Sequence, residues 1–233
     1  MPATRFIGIV CGLKSEAAAV RAAAREGKVR IAVSGASAAR AETLAAMFCR
    51  EGARAIVSIG VSGGLAPHLR CGDLLFGDVV RTRSGEEFFA SQTLIASLET
   101  AGITVAIQRA TLFGADAIVA TAREKAALFE RYGALAVDME SHGAARAARA
   151  FGIPFAAIRA IADPAGCALP PAALHAVAPD GGARIFSVLM ECAKEPGQLP
   201  ALLRLGADSR TALKTLRRGL GGLFAPLFLS LDL

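Results

Sequence analysis

The stretch Val137–Pro164, VDMESHGAARAARAFGIPFAAIRAIADP, decides the fold. An apolar run, Ala134 to Val137, ends in Asp138, Met139 and Glu140, and a small-residue helix pattern follows from Gly143 to Phe151. A second apolar run, Phe155 to Ile161, then delivers Asp163. Strand, helix and strand in so few residues predict a right-handed parallel crossover, which sets Glu140 and Asp163 at one edge of one sheet. That edge is where open α/β sheets bind ligands. Ala144, Ala145, Ala147 and Ala148 let the helix lie close to the sheet, while Arg146 and Arg149 face solvent.

Two acids so placed admit two readings. Pro164 biases Asp163 to an extended conformation and, at the first helical position, leaves Asp163 as a plain N-cap; Glu140 is then a first-turn acid favoured by the helix dipole. The chemical reading is cleavage of a purine–ribose bond, which needs a proton for the departing base, an acceptor for the ribose hydroxyls and a nucleophile for an oxocarbenium-like carbon.

Working outward, 233 residues that are 54% hydrophobic suit one α/β domain with a large core. The net charge of +6 comes mainly from arginine and favours an anionic substrate or an anionic membrane surface. With no Trp, a single Tyr132 and no basic block interleaved with aromatics, nucleic acid is not the expected partner. Cys11, Cys49, Cys71, Cys167 and Cys192 are scattered without C-x-x-C spacing and read as reduced thiols. The apolar run Phe6–Leu13 is too short for an export signal, so a cytoplasmic protein is expected. His68, His142 and His175 are too widely spaced for a metal site; His142, two residues after Glu140, is the one that warrants mutation.

Along the chain, Arg5–Leu13 reads as a strand and Ser15–Arg25 as a helix capped by Ser15, with Glu16 at the junction. A strand Val29–Gly35 and a helix Ala38–Glu51 enclose a small turn where Ser34, Gly35 and Ser37 offer donors to an anion, although such a turn is often only a turn. Arg40 in the first helical turn runs against the dipole preference and hints at an anion nearby. Arg54–Gly60 is a central strand, followed by Val61–Gly64, whose glycines let a ligand approach the backbone but make no dinucleotide fingerprint. Asp73 bonds its own turn, Leu74–Arg81 is a strand, and Arg83–Phe89 reads as an irregular loop with Phe88 and Phe89 as pocket wall or dimer contacts. A helix Ser91–Ala101, a strand Val105–Thr111 and a helix Thr121–Arg131 precede the opening stretch. Beyond it, Ala165–Pro179 reads as an access loop over Asp163. Residues 196–233 form a helix, Pro200–Arg218, with Arg204, Arg210, Lys214, Arg217 and Arg218 on a basic flank, then an apolar tail broken by Pro226. The tail cannot span a bilayer; it packs on the 1–195 body or a twin subunit, or makes a peripheral contact at the inner face of the membrane.

VDMES followed by RAIADPA resembles the paired signature of the nucleoside phosphorylase and methylthioadenosine/S-adenosylhomocysteine nucleosidase superfamily. IGIVCGLKSE, SIGVSGGLAPHLRCGDLLF and GADAIV resemble its other segments, in order, so that the likeness spans Ile7 to Ala165. Within that superfamily the greatest likeness is to the hopanoid-associated phosphorylases, through GVSGGLAP, VDMES, ADPA...LPPAAL and the tail PGQLPALLRLGADSRTALKTLRR. The resemblance implies a three-layer α/β/α sandwich around a mixed, mostly parallel sheet, and a homodimer. It implies that Asp163 faces the purine as proton donor, Glu16 activates water, Met139 and Glu140 hold the ribose, and Ile118 and Val119 line the base. Ile118 stands where an aromatic is common, so that apolar contact replaces stacking at a cost of about 0.5–1 kcal/mol. Ser34, Gly35, Arg40, Ser62 and Gly63 are the candidates for an anion or phosphate site, because Ser58 and Val61 replace the arginine and hydroxyl residue with which one phosphorylase branch grips phosphate. Leu13 is expected in the pocket for the 5′ substituent. No cofactor or metal is implied, with inorganic phosphate the one candidate co-substrate. The implied substrate is a lipid-linked adenine nucleoside, adenosylhopane; the alternatives are hydrolysis of methylthioadenosine or S-adenosylhomocysteine, and a binding module without turnover.

Overall fold

A computed structural model describes residues 5–24, 27–99 and 105–231, with the side chains of 98, 99, 175, 185, 186, 189 and 193 outside that description. The helix ends expected at Arg25 and Ala101, and the side chain of His175, therefore lie outside the described residues.

The N-terminal half supplies β1 (Phe6–Cys11), α1 (Lys14–Ala23), β2 (Val29–Val33), α2 (Ala38–Arg50), β3 (Ala53–Gly64), β4 (Leu74–Thr82), β5 (Glu87–Phe89) and α3 (Gln92–Glu99). The remainder supplies β6 (Ile107–Gly114), α4 (Ala122–Tyr132), β7 (Ala136–Asp138), α5 (Ser141–Ala150), β8 (Phe155–Asp163), α6 (Ile185–Lys194) and α7 (Leu199–Ser230). Among the described residues eight strands form one mixed sheet. Helices cover both faces: α1, α3 and α7 share one hydrophobic cluster with the sheet, α2 and α5 the other. This is the expected three-layer α/β/α arrangement. β1 and β8 are buried on both faces, which is why FIGIVC and FAAIRAIA read as continuous apolar runs rather than alternating ones.

The crossover at α5 corrects the expectation. β8 runs parallel to β3 whereas β7 runs antiparallel to it, so the strands on either side of α5 point in opposite directions. The physical cause is closure. β3 pairs with β8, β8 with β4, β4 with β6, β6 with β7, and β7 returns to the far end of β3, so five strands make a small closed barrel. Gly63 consequently has Val137 as its partner on one side and Asp163 on the other. The acids still meet, through barrel closure and not through a shared parallel edge.

Closure also carries β3 beyond Gly60 through Gly64: flanked by β7 and β8, the backbone groups of Val61–Gly64 are paired despite the glycines. Arg83–Phe89 is likewise ordered as a hairpin arm, with β5 antiparallel to β4. α1 is capped from Leu13 and not by Ser15. α7 continues unbroken through Pro226 to Ser230, because Leu220, Leu223, Phe224, Leu227 and Phe228 are buried in the main core and packing outweighs one lost hydrogen bond. The apolar tail thus packs into the body of the fold, and no helix of the described residues is long and apolar enough to cross a membrane.

Candidate active site

Where β3, β7 and β8 meet, a cavity of about 300 Å³ opens, lined by Glu16, Met139, Glu140 and Asp163 together with Ser62 and Gly63 from β3. Leu13, Ile118 and Val119 complete the expected set. Ala173, Ala176, Val177 and Leu205 add an apolar wall from the segment after β8 and from α7. The segment expected to be an access loop over Asp163 is therefore a wall of the cavity. His142 lies outside it: the ring is buried against Gly114 with Nε2 3.1 Å from Asp116 Oδ1, a packing position.

Each acid is held by a different device. Glu16 is the third residue of α1, and its Oε2 accepts from the N–H groups of Gly12 and Leu13 at 2.8 Å while Oε1 accepts from Val61 at 2.8 Å. Burial pushes its carboxyl above the ordinary range against those three hydrogen bonds and Arg159. Asp138, not Glu140, caps α5: its Oδ1 accepts from the N–H groups of Glu140 and Ser141, and its Oδ2 from the Ser141 hydroxyl. Asp163 caps nothing, since no helix starts at Pro164. Glu16 is thus a first-turn acid of α1, whereas Glu140 is not in the first turn of α5 and Asp163 is not a cap.

Behind the acids lies Arg159, 1% exposed. One of its nitrogens, Nη2, donates to Ser58 at 2.7 Å and Ser141 at 2.9 Å, and stands 3.1 Å from Asp138 Oδ1 but 3.8 Å from Glu140 Oε2. The cation is shared unequally, and the two acids diverge accordingly. Burial opposes ionisation of Asp138, yet Arg159 and the bonds from Ser141 and Glu140 outweigh it and hold the carboxyl below its usual range. Glu140 is pushed up to about 8 by burial and by the Asp138 charge, with Arg159 too far away to compensate. Glycine makes the space: a Cβ at Gly12 would lie 2.5 Å from Glu140 Oε1, and one at Gly60 2.7 Å from Glu16 Oε1.

Residues 7–194 match the model of the phosphorylase superfamily. The chain belongs to that superfamily. Futalosine hydrolase of Streptomyces coelicolor is 33% identical over 127 residues, 48% of this chain and 54% of that one, so the chain matches about half the length of this curated relative. Two solved structures share the fold with a TM-score of 0.71, 16% identity and coverage of 95% of this chain and 98% of theirs. They are futalosine hydrolase of Helicobacter pylori and the methylthioadenosine/S-adenosylhomocysteine nucleosidase of Neisseria meningitidis in complex with methylthio-immucillin-A.

In this superfamily member the expected anion site does not assemble. The Ser34 hydroxyl donates to the Cys11 carbonyl, Gly35 packs under Pro179, and the Arg40 guanidinium donates to the Pro179 carbonyl; none of the three lines the cavity. Arg40 answers a carbonyl, not an anion. Only Ser62 and Gly63 of that set face the cavity, and the buried Ser62 hydroxyl has no partner among the described residues. Arg159, beside Asp138, and Lys125, paired with Asp163, are buried cations that the motifs do not single out. A lone arginine inside FAAIRAIAD is nonetheless a legible sign of a buried cation.

Proposed function

We propose that this chain cleaves the N-glycosidic bond of an adenine nucleoside, with water as the nucleophile and an apolar group on the 5′ carbon of the ribose. The observation that carries this is the convergence of Glu16, Glu140 and Asp163 on one cavity that also offers the apolar slot of Ile118 and Val119. Asp163 protonates the departing adenine, and burial, which raises its carboxyl, keeps that proton available against the pull of Lys125. Glu140 accepts the ribose hydroxyls and Met139 packs on the sugar. Glu16, its carboxylate fixed by three N–H groups, retains a lone pair on Oε1 for a water molecule. Positive charge developing on the ribose is stabilised by the Glu16 carboxylate, which then takes up the proton of the attacking water.

Water is favoured over phosphate for a reason of charge. No Lys or Arg is among the described cavity-lining residues, whereas four carboxyl groups, of Glu16, Asp138, Glu140 and Asp163, are, and a phosphate dianion would meet repulsion there. The relatives named above are a hydrolase and a nucleosidase, which accords with this. The wall of Leu13, Leu169, Ala173, Val177 and Leu205 suits a hydrocarbon at the 5′ position, and adenosylhopane is the substrate of this class that the family resemblance suggests. Dimerisation belongs to the same proposal: Ile118, at the cavity, is 40% exposed and awaits a cover.

Adenine release from adenosylhopane, methylthioadenosine and S-adenosylhomocysteine, each with and without inorganic phosphate, tests these points. Equal rates in phosphate-free buffer and preference for the apolar substrate are expected. A strict phosphate requirement removes hydrolysis, and preference for S-adenosylhomocysteine removes the apolar substituent. Asp163→Asn is expected to lower the rate by roughly 10²–10⁴-fold, as loss of a positioned proton donor does, while ligand is still bound.

A further inference from the structure

Lys125, on α4, is completely buried, and nothing so far gives it a task. Its ammonium makes three hydrogen bonds: to Asp163 Oδ2 at 2.5 Å, to the Pro164 carbonyl at 3.0 Å and to the Cys167 carbonyl at 2.9 Å. Three donors meet three acceptors, so the charged form is fully satisfied without water. Among the described residues only one oxygen of Asp163 is engaged, and the other is left for whatever occupies the cavity. Replacing Lys125 alone by an apolar residue would leave Asp163 and two carbonyls without their donor.

We propose that Lys125 is the positioning residue of Asp163: it clamps Oδ2, turns Oδ1 toward the departing base, and stabilises the carboxylate that remains once the proton has been given up. This rests on the function proposed above. In the step concerned, the Asp163 O–H bond breaks and an N–H bond forms on adenine. The electron pair of the glycosidic bond passes to the adenine ring, and the new carboxylate faces the Lys125 ammonium. Solvent returns the proton before the next turnover. A cation beside the acid makes proton delivery more complete, at the expense of holding the proton less firmly beforehand.

The other charges around Asp163 do not substitute for it. Asp208 on α7 works in the opposite sense, and Arg204 stands 3.9 Å from Asp208. Cys71, pushed up to about 11 chiefly by burial, is neutral in the working range. Glu140 and Glu16 also line the cavity, and their titration is common to wild type and Lys125 variants.

The test is the pH profile of adenine release for wild type, Lys125→Gln, Lys125→Met and Lys125→Arg. The active form carries the Asp163 proton, so the rate falls at high pH, and removing the neighbouring cation moves that fall to higher pH. Lys125→Gln is therefore expected to lose about 10- to 100-fold on the acidic plateau, part of the ~10²–10⁴ a proton donor contributes. Its rate relative to wild type should then climb as pH rises. Lys125→Arg restores the wild-type position of the fall. In an Asp163→Asn background Lys125→Gln should cost no further rate. A variant-to-wild-type ratio that is flat with pH, or additive losses in the double variant, overturns the inference and leaves the proposed function standing. If wild type releases no base from any nucleoside, the proposed function fails and this inference falls with it. Should Lys125→Met not fold, the Gln and Arg variants decide, because Gln keeps two of the three donors and lacks the charge.

Discussion

Replacing Glu140 by Gln removes one charge from the most crowded part of the molecule. In the folded chain the Glu140 carboxyl is pushed up to about 8, first by burial and then by Asp138, against an ordinary value of 4.5. A group whose folded value lies above its unfolded one binds its proton more tightly in the native state, so stability is fully present below about 4.5 and is lost as pH rises toward 8. Each unit of separation is worth about 1.4 kcal/mol, which bounds the loss at roughly 5 kcal/mol. Because Glu140 titrates together with Asp138, Glu16 and Arg159, a realised loss of about 2–3 kcal/mol is expected. Gln has the same shape and no charge to desolvate. Urea unfolding at pH 5, 7 and 9 should show wild type weakening across that range and Glu140→Gln holding nearly constant, with the variant the more stable at pH 9. Parallel pH dependence in the two proteins would refute the assignment of the strained carboxyl to Glu140. Nucleoside cleavage by the variant should fall at every pH, since the ribose loses its acceptor.

Gly12→Ala drives a methyl group to 2.5 Å from Glu140 Oε1, and should cost about 1–3 kcal/mol of stability by overpacking and weaken nucleoside binding in a calorimetric titration. Arg159→Met strands Asp138 and Glu140 without their cation, so denaturation at pH 8 should register a loss of about 3–5 kcal/mol that shrinks as pH falls and the acids take up protons. Leu205→Glu sets a carboxylate in the apolar wall, and should reduce kcat/KM for a nucleoside with a hydrocarbon 5′ group by ~10-fold or more relative to adenosine, the scale on which one mismatched group in an apolar pocket discriminates.

How far the sequence can be read is best judged from particular residues. The runs FIGIVC and FAAIRAIA are legible as strands because burial on both faces leaves a continuous apolar signal. The convergence of positions 16, 140 and 163 is legible because all three follow strand ends. The route to that convergence is not. β7 is three residues long, too short for any periodicity, and its antiparallel pairing with β3 follows from barrel closure, a property of five strands at once. The anion turn fails for a related reason. Arg40 finds its partner at Pro179, far along the chain and invisible to any local pattern. Lys125 is concealed differently: α4 carries ordinary helical charges on its exposed face, and only the register with Leu128 marks this one lysine as facing inward.

The two readings of the acids, as helix caps or as site residues, turn out not to exclude each other, and the structure explains why. An acid that caps a helix accepts backbone N–H groups, which fixes its rotamer and opposes the effect of burial on its charge. Those are the properties wanted of a group that must orient a water molecule, and Glu16 does the first duty while lining the cavity for the second. α5 divides the labour instead. Asp138 takes the cap and stands nearer the arginine, while Glu140 has no cap and lies farther from that cation, so its carboxyl stays raised. Two carboxylates two residues apart thus acquire opposite titration behaviour from one cation whose distances to them differ by less than an ångström. That asymmetry rests on the position of the Arg159 guanidinium, which Ser58 and Ser141 hold from two different elements.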